Sequence, residues 1–216
     1  LGIPAEPLFR SYMVIKSLIT ARGNSKSIPN KNIIDINNKP LIAFSIEASK
    51  DSEVLDTWVS TDSNKIKKIS LNYGAKVIER PKELATDNIM NEPSLIHFAK
   101  NVLFDLLIFI QPTSPFIKAK YINEGIKLMK TGNYDSVFTA TRKHWVPRWD
   151  LKINPIGWNI YHRPRRQDKE DYYEENGMFY ITSKQQLLKN NLRYGGRIGI
   201  VNIPSYDSFQ IDNEED

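Results

Sequence analysis

Cysteine is absent from the 216-residue chain, which excludes disulfides, thiolate nucleophiles and Cys-based zinc or iron–sulfur sites together. The same absence suits a reducing, cytoplasmic setting. Histidine is scarce: His97, His144 and His162 are the three present, and they are too scattered in the sequence to point to a zinc site. Long apolar runs are also missing. The longest, Leu106 to Ile110 extended backwards through Val102, is interrupted by Asp105 and reaches about half of what a bilayer span needs. No membrane partner is expected. Residues 1–12, LGIPAEPLFRSY, lack a basic start followed by an apolar stretch and do not read as a secretory signal. They read as an extension or an appended remnant ahead of the folded domain. No G-x-S-x-G elbow or Ser/His/Asp ordering supports a hydrolase, and neither the G-x-x-x-x-G-K-[ST] nor the G-x-G-x-x-G spacing occurs.

What is present is an average globular composition, with 40% hydrophobic, 11% aromatic and 25% charged residues, enough to bury a sizeable core. Set against a soft prior of roughly 150 residues per domain, the length favours a single domain, 13–216, with one substantial excursion. Thirty basic and 25 acidic side chains leave a net charge of +5. That attracts phosphates but is modest beside a dedicated nucleic-acid binder, so a small anion is the expected partner and nucleic acid is not.

Hydrophobic pattern and turn residues alternate strand with helix. Strands are expected at 13–20, 58–60, 76–79, 106–110 and 135–140, and helices after Pro40, over 64–72, from Pro93 and near 119–130. Strands separated by helices imply parallel pairing with right-handed crossovers, hence an open three-layer α/β sheet. From about 141 to 175 the pattern dissolves into Trp, Pro, Arg and Asn, which reads as an insertion serving dimerisation, before strands return near 177–182 and 198–203. Ligands of such sheets bind outside the carboxyl ends of the strands, so loops 21–32, 61–63, 80–92 and 111–115 should border one crevice.

The strongest local feature is ARGNSKSIPNKN at 21–32, directly after the first strand. Arg22, Lys26 and Lys31, with Gly23 among small polar residues, are what a loop needs to surround a polyphosphate. The segment resembles the A-R-x-x-S-K-x-[IL]-P-x-K-N signature of the CMP-sialic acid synthetases, the acylneuraminate cytidylyltransferases. Matches follow in the same order: VSTD at 59–62, RPKELATD at 80–87, QPTSP at 111–115, RRQD at 165–168, ENG with MFYI at 175–181, and IDNEED at 211–216. The resemblance runs from Met13 to Asp216.

The resemblance implies an α/β fold of the nucleotide-diphosphosugar-transferase type, open and mostly parallel, with a small dimerisation insertion. It implies transfer of CMP from CTP to the anomeric hydroxyl of a nine-carbon α-keto sugar acid, with release of pyrophosphate. Arg22 and Lys31 would then hold the CTP phosphates, Lys26 would lie against them, Asn32 would contact the nucleotide, Arg80 would approach the cytosine, and Asn91 would line the base pocket. Gln111, Arg166, Gln167, Asn176 and Tyr180 match positions that contact the sugar acid. Arg148 matches a basic position that reaches across a homodimer. Amides and a guanidinium suit hydroxyls, an acyl amide and a carboxylate on chemical grounds too.

Mg²⁺ is implied as cofactor, because triphosphate chemistry uses a hard cation bridging phosphate oxygens. Relatives present Asp-x-Asp near the carboxyl end, where this chain has Gln210-Ile211-Asp212. Asp212 would be the charged metal ligand, and Gln210 would offer only an amide oxygen. Two other acceptor assignments compete within the enzyme class: a legionaminic, pseudaminic or deaminated neuraminic acid, or an eight-carbon Kdo-like one. The alternative from a different class is a non-catalytic RNA-binding module, read from RPRRQDK at 163–169 with Trp145, Trp149 and Trp158 nearby.

Overall fold

A computed structural model describes residues 13–25, 27–86 and 88–216. The parallel half of the sheet contains β1 (Ile15–Thr20), β2 (Asp56–Thr61), β3 (Lys76–Glu79) and β4 (Leu106–Ile110). They are connected by α1 (Leu41–Lys50), α2 (Asn64–Asn72) and α3 (Glu92–Asn101). After α4 (Ala119–Lys130) comes β5 (Ser136–Lys143), then a small ribbon of β6 (Arg148–Trp149) and β7 (Pro155–Ile156). β8 (Tyr172–Ser183), α5 (Lys184–Asn190) and β9 (Ile198–Asn202) complete the chain's regular elements. The seven-stranded order is β3-β2-β1-β4-β8-β5-β9.

Strand composition explains the layering. In β4, Leu106, Ile108 and Ile110 face one core with Ile42 and Ile46 of α1 and Ile122 and Ile126 of α4. Leu107 and Phe109 face the other, against Leu95 and Phe98 of α3 and Leu187 of α5. A strand buried on both faces carries no polar alternation, and all five β4 residues are buried. Among the described residues no helix is long and apolar enough to cross a membrane.

The sheet is mostly parallel, as expected, with one strand reversed: β8 pairs antiparallel with both β4 and β5. One boundary is corrected: the irregular excursion is shorter than 141–175, because β5 continues to Lys143 and β8 already begins at Tyr172. Those ends pair with one another, Thr141 with Glu174 and Lys143 with Tyr172. The pairing carries polar residues beyond the core, where periodicity does not reveal a strand.

Candidate active site

Strand order changes direction between β1 and β4: β2 and β3 extend to one side and β4 to the other. A crevice opens at such a switch point. Here it holds a cleft of about 410 Å³ lined by the loop after β1, the loop after β3 and the loop after β4. Arg22, Lys31, Asn32, Arg80, Asn91, Gln111 and Asp212 all face it, although they come from four separate stretches of sequence. Loop 61–63, expected on the same crevice, lines a neighbouring depression that shares Arg80.

Short polar contacts set the shape of the 21–32 loop. Asn32, buried, donates from Nδ2 to the Arg22 carbonyl at 3.0 Å and closes the loop on itself. Gly23 is where this loop meets the loop after β2. Its N–H donates to Asp62 Oδ1 at 2.8 Å, and a Cβ there would lie 2.9 Å from Cβ of Ser63, so the glycine lets two loops touch. Arg22 reaches across the cleft to donate to the Thr86 carbonyl at 3.2 Å. Lys26 lies outside the described residues.

Arg80 forms the floor. Its Nε and Nη2 donate to Oγ and the carbonyl of Ser60 at 3.1 and 3.0 Å. Burial pushes its guanidinium down to about 10, with Asp62 opposing that shift and nearby Arg22 reinforcing it. Two guanidinium groups held close together favour an anionic guest between them. Asn91 accepts from the Thr20 hydroxyl at 3.1 Å, joining the β3–α3 loop to the end of β1.

The expected acceptor residues divide into two groups. Gln111 lies in the cleft, with its backbone N–H donating to the Met178 carbonyl at 3.1 Å. Asn176 is close by, half-buried, and donates to Thr141 Oγ1 at 3.3 Å. Tyr180 is instead a core residue, 3% exposed, with its ring stacked between Phe109 and Tyr194 and its hydroxyl bonded to Glu175. Its phenol is pushed up by burial and then by Glu175. Arg148, Arg166 and Gln167 are exposed on the excursion and do not line this cleft. Arg148 lies over the Tyr172 ring at 5.5 Å. Trp158 is packed edge-on against Trp149 and Arg165 is paired with Asp168, so these groups are engaged with one another.

A pair that no motif indicates sits behind the cleft. Glu92, the first residue of α3, takes both Nε and Nη2 of Arg193 at 2.6 and 3.0 Å. Arg193 also covers the rings of Phe109 and Tyr180.

Asp212 meets the donor chemistry of a hard cation in one respect, a carboxylate at the cleft mouth. Among the described residues no group of three or more His, Asp or Glu is placed to hold a metal. A cation held by Asp212 would take most of its oxygens from waters and from a phosphate ligand. Gln210 does not line the cleft; its amide stands over Gly177.

Residues 17–212 match the cytidylyltransferase family. N-acylneuraminate cytidylyltransferase A of Danio rerio is 36% identical over 224 residues, covering 100% of this chain and 52% of that protein. The chain thus spans about half the length of that relative. CMP-N,N'-diacetyllegionaminic acid synthase of Legionella pneumophila is 34% identical over 196 residues, covering 84% of this chain and 83% of the relative. Among solved structures, a CMP:2-keto-3-deoxy-manno-octonic acid synthetase complexed with CTP superposes with a TM-score of 0.71 at 17% identity, covering 93% of this chain and 94% of the other. That likeness establishes the shared α/β fold.

Proposed function

Because this chain belongs to the cytidylyltransferase family, we propose that it transfers CMP from CTP to the anomeric hydroxyl of a nine-carbon α-keto sugar acid of the N-acetylneuraminate type. The observation that carries this reading is the convergence of Arg22, Lys31 and Arg80 with Asn91 and Gln111 on one cleft at the switch point of the sheet. The names of the relatives, an N-acylneuraminate cytidylyltransferase and a diacetyllegionaminic acid synthase, support an acylated sugar acid as acceptor.

In this reaction the acceptor hydroxyl oxygen attacks the α-phosphorus in line. The new oxygen–phosphorus bond forms as the bond to the β-phosphate oxygen breaks, pyrophosphate leaves, and the hydroxyl proton passes to solvent. Arg22 and Lys31 hold the phosphates and meet the charge that shifts to the leaving group, so positioning and electrostatics provide the rate. Arg80, immobilised by Ser60, reads the cytosine together with the loop to Asn91. Gln111, Asn176, Arg166 and Gln167 take the sugar acid, and Tyr180 supports them from the core. Asp212 would hold Mg²⁺, which when bound neutralises charge on phosphate oxygens.

The working unit in this reading is a homodimer. Leu151, Ile153 and Tyr161 project from the excursion almost fully exposed, apolar surface that a second copy would cover while Arg148 reaches the partner's acceptor. The test is to incubate the protein with CTP, Mg²⁺ and a panel of sugar acids and to measure pyrophosphate. CTP should be used in strong preference to ATP, GTP and UTP. Equal use of all four would overturn the base-reading role of Arg80.

A further inference from the structure

β8 departs from its partner β5 in one place. Phe138 pairs with Tyr180 and Ala140 with Glu175, so the β8 residues between them bulge outward opposite Thr139. Bulges redirect a strand at functional edges. Gly177 sits in this bulge at φ 68°, the left-handed region that favours glycine. A methyl group on it would lie 2.9 Å from Nε2 of Gln210 and 3.0 Å from Oε1 of Gln111. Two carboxamides thus converge on the bare backbone of one residue.

Each amide is delivered by a well-anchored segment. Gln111 follows β4 and is tied to the bulge through the Met178 carbonyl. Gln210 lies between two fixed points: Asp207, buried and bonded to Lys118 and Tyr121, and Ile211, whose N–H donates to the Thr113 carbonyl at 2.9 Å. Both side chains are half-buried, and among the described residues neither amide makes a hydrogen bond. A carboxamide offers two donors and an acceptor, and neither amide is among the buried polar groups lacking a partner, so both are open to solvent and to a ligand. Two such groups side by side, Gln111 in the lining of the cleft and Gln210 next to it over Gly177, match a neutral polar substituent bearing both donor and acceptor character.

We propose that Gln210 is a specificity-determining residue that pairs with Gln111 over Gly177 to grip a hydroxyl or N-acyl group of the acceptor, and that it is not a metal ligand. The proposal rests on the cytidylyltransferase reading above and adds to it the residue that selects the acceptor. Asp212, two residues on, is engaged with Lys31 instead. The division of labour follows from chemistry: the carboxylate serves charge, and the amide serves a neutral group.

Steady-state kinetics on Gln210→Ala, with Gln210→Asn as a second variant that keeps the amide on a shorter stem, test this. Loss of one or two hydrogen bonds should raise KM for the acceptor about tenfold while KM for CTP and the Mg²⁺ midpoint stay within about twofold. Wild type should discriminate against an acceptor lacking one hydroxyl or its N-acyl group, and Gln210→Ala should lose that discrimination. An unmoved acceptor KM, or an equal shift in the Mg²⁺ midpoint, overturns the proposal. If wild type itself releases no pyrophosphate with any sugar acid, the cytidylyltransferase reading fails first. If wild type turns over and the variants match it, only the role of Gln210 fails.

Discussion

Lys31 and Asp212 are 181 positions apart in the chain, yet Nζ of one lies 3.0 Å from Oδ1 of the other at the mouth of the cleft. The lysine is largely covered and the aspartate largely exposed. A pair with one open member contributes about 0–1 kcal/mol to stability, so its placement bears on ligand binding more than on folding. A triphosphate entering the cleft would compete with Asp212 for Lys31, and the released carboxylate would then face whatever cation accompanies the phosphates. Asp212→Asn is therefore expected to retain the wild-type melting temperature, lower kcat by about 100-fold or more and shift the Mg²⁺ midpoint upward. A Mg²⁺ titration of turnover decides; an unchanged midpoint removes Asp212 from any metal role.

Arg22 spans the two loops that border the nucleotide side of the cleft. A charge-assisted contact that strengthens as charge moves to the leaving group amounts to several kcal/mol, so Arg22→Ala should lower kcat/KM by at least ~100-fold. Circular dichroism and thermal melting should show the fold intact. Near-normal turnover in such a folded variant would refute the phosphate role.

The Glu92–Arg193 pair predicts a pH dependence of stability. Burial alone would raise the Glu92 carboxyl, but the Arg193 hydrogen bonds outweigh it and hold the group below its ordinary value of 4.5. A carboxylate with a depressed folded pKa stabilises the fold fully above its unfolded pKa and loses that contribution as pH falls through the folded one. Wild type should thus lose melting temperature below about pH 4.5 more steeply than Glu92→Gln. Arg193→Ala, which leaves a buried carboxylate unpaired, should cost about 3–5 kcal/mol at neutral pH. Parallel melting curves for wild type and Glu92→Gln from pH 6 to 3 would contradict this.

How much of this was legible beforehand follows burial. Leu106 to Ile110 is apolar throughout and both ends are marked by polar residues, so its strand is found exactly where the pattern places it. β8 begins with Tyr172-Tyr173-Glu174-Glu175, half-buried at Tyr172 and exposed from there to Glu175, and neither its length nor its reversed direction leaves a period to read. That Arg22, Arg80 and Gln111 share one cleft was legible because their loops follow strand ends, where open sheets bind ligands. Tyr180 occupies a position that the resemblance assigns to the sugar, yet strand alternation turns its ring into the second core beside Phe109. Arg193 was missed because its meaning lies in Glu92, 101 residues away.

The excursion between β5 and β8 carries Leu151, Ile153 and Tyr161 outward with no core of its own beneath them. Apolar surface of this kind is stabilised by a second copy. Sedimentation at micromolar concentration should give a dimer, and Leu151→Glu combined with Tyr161→Glu should give a monomer with weakened acceptor binding, since Arg148 would no longer reach a partner. A wild-type monomer with full activity would eliminate the dimer.

Gly177 and Gly132 provide a matched comparison that separates backbone strain from site geometry. Both have positive φ, 68° and 72°, so an alanine at either pays about 1–2 kcal/mol for left-handed backbone. For a chain of this size that lowers the melting temperature by roughly 2–8 °C. Their surroundings differ. The new methyl group at Gly132 would meet nothing within 4 Å, whereas at Gly177 it would meet the amide ends of Gln210 and Gln111. Those ends are flexible and can retreat, so the added cost at Gly177 should appear in recognition, not in folding. Gly132→Ala and Gly177→Ala are expected to lose similar thermal stability, while Gly177→Ala alone raises KM for the acceptor, with KM for CTP unchanged. If the two variants have identical kinetics, the amides over Gly177 take no part in acceptor binding.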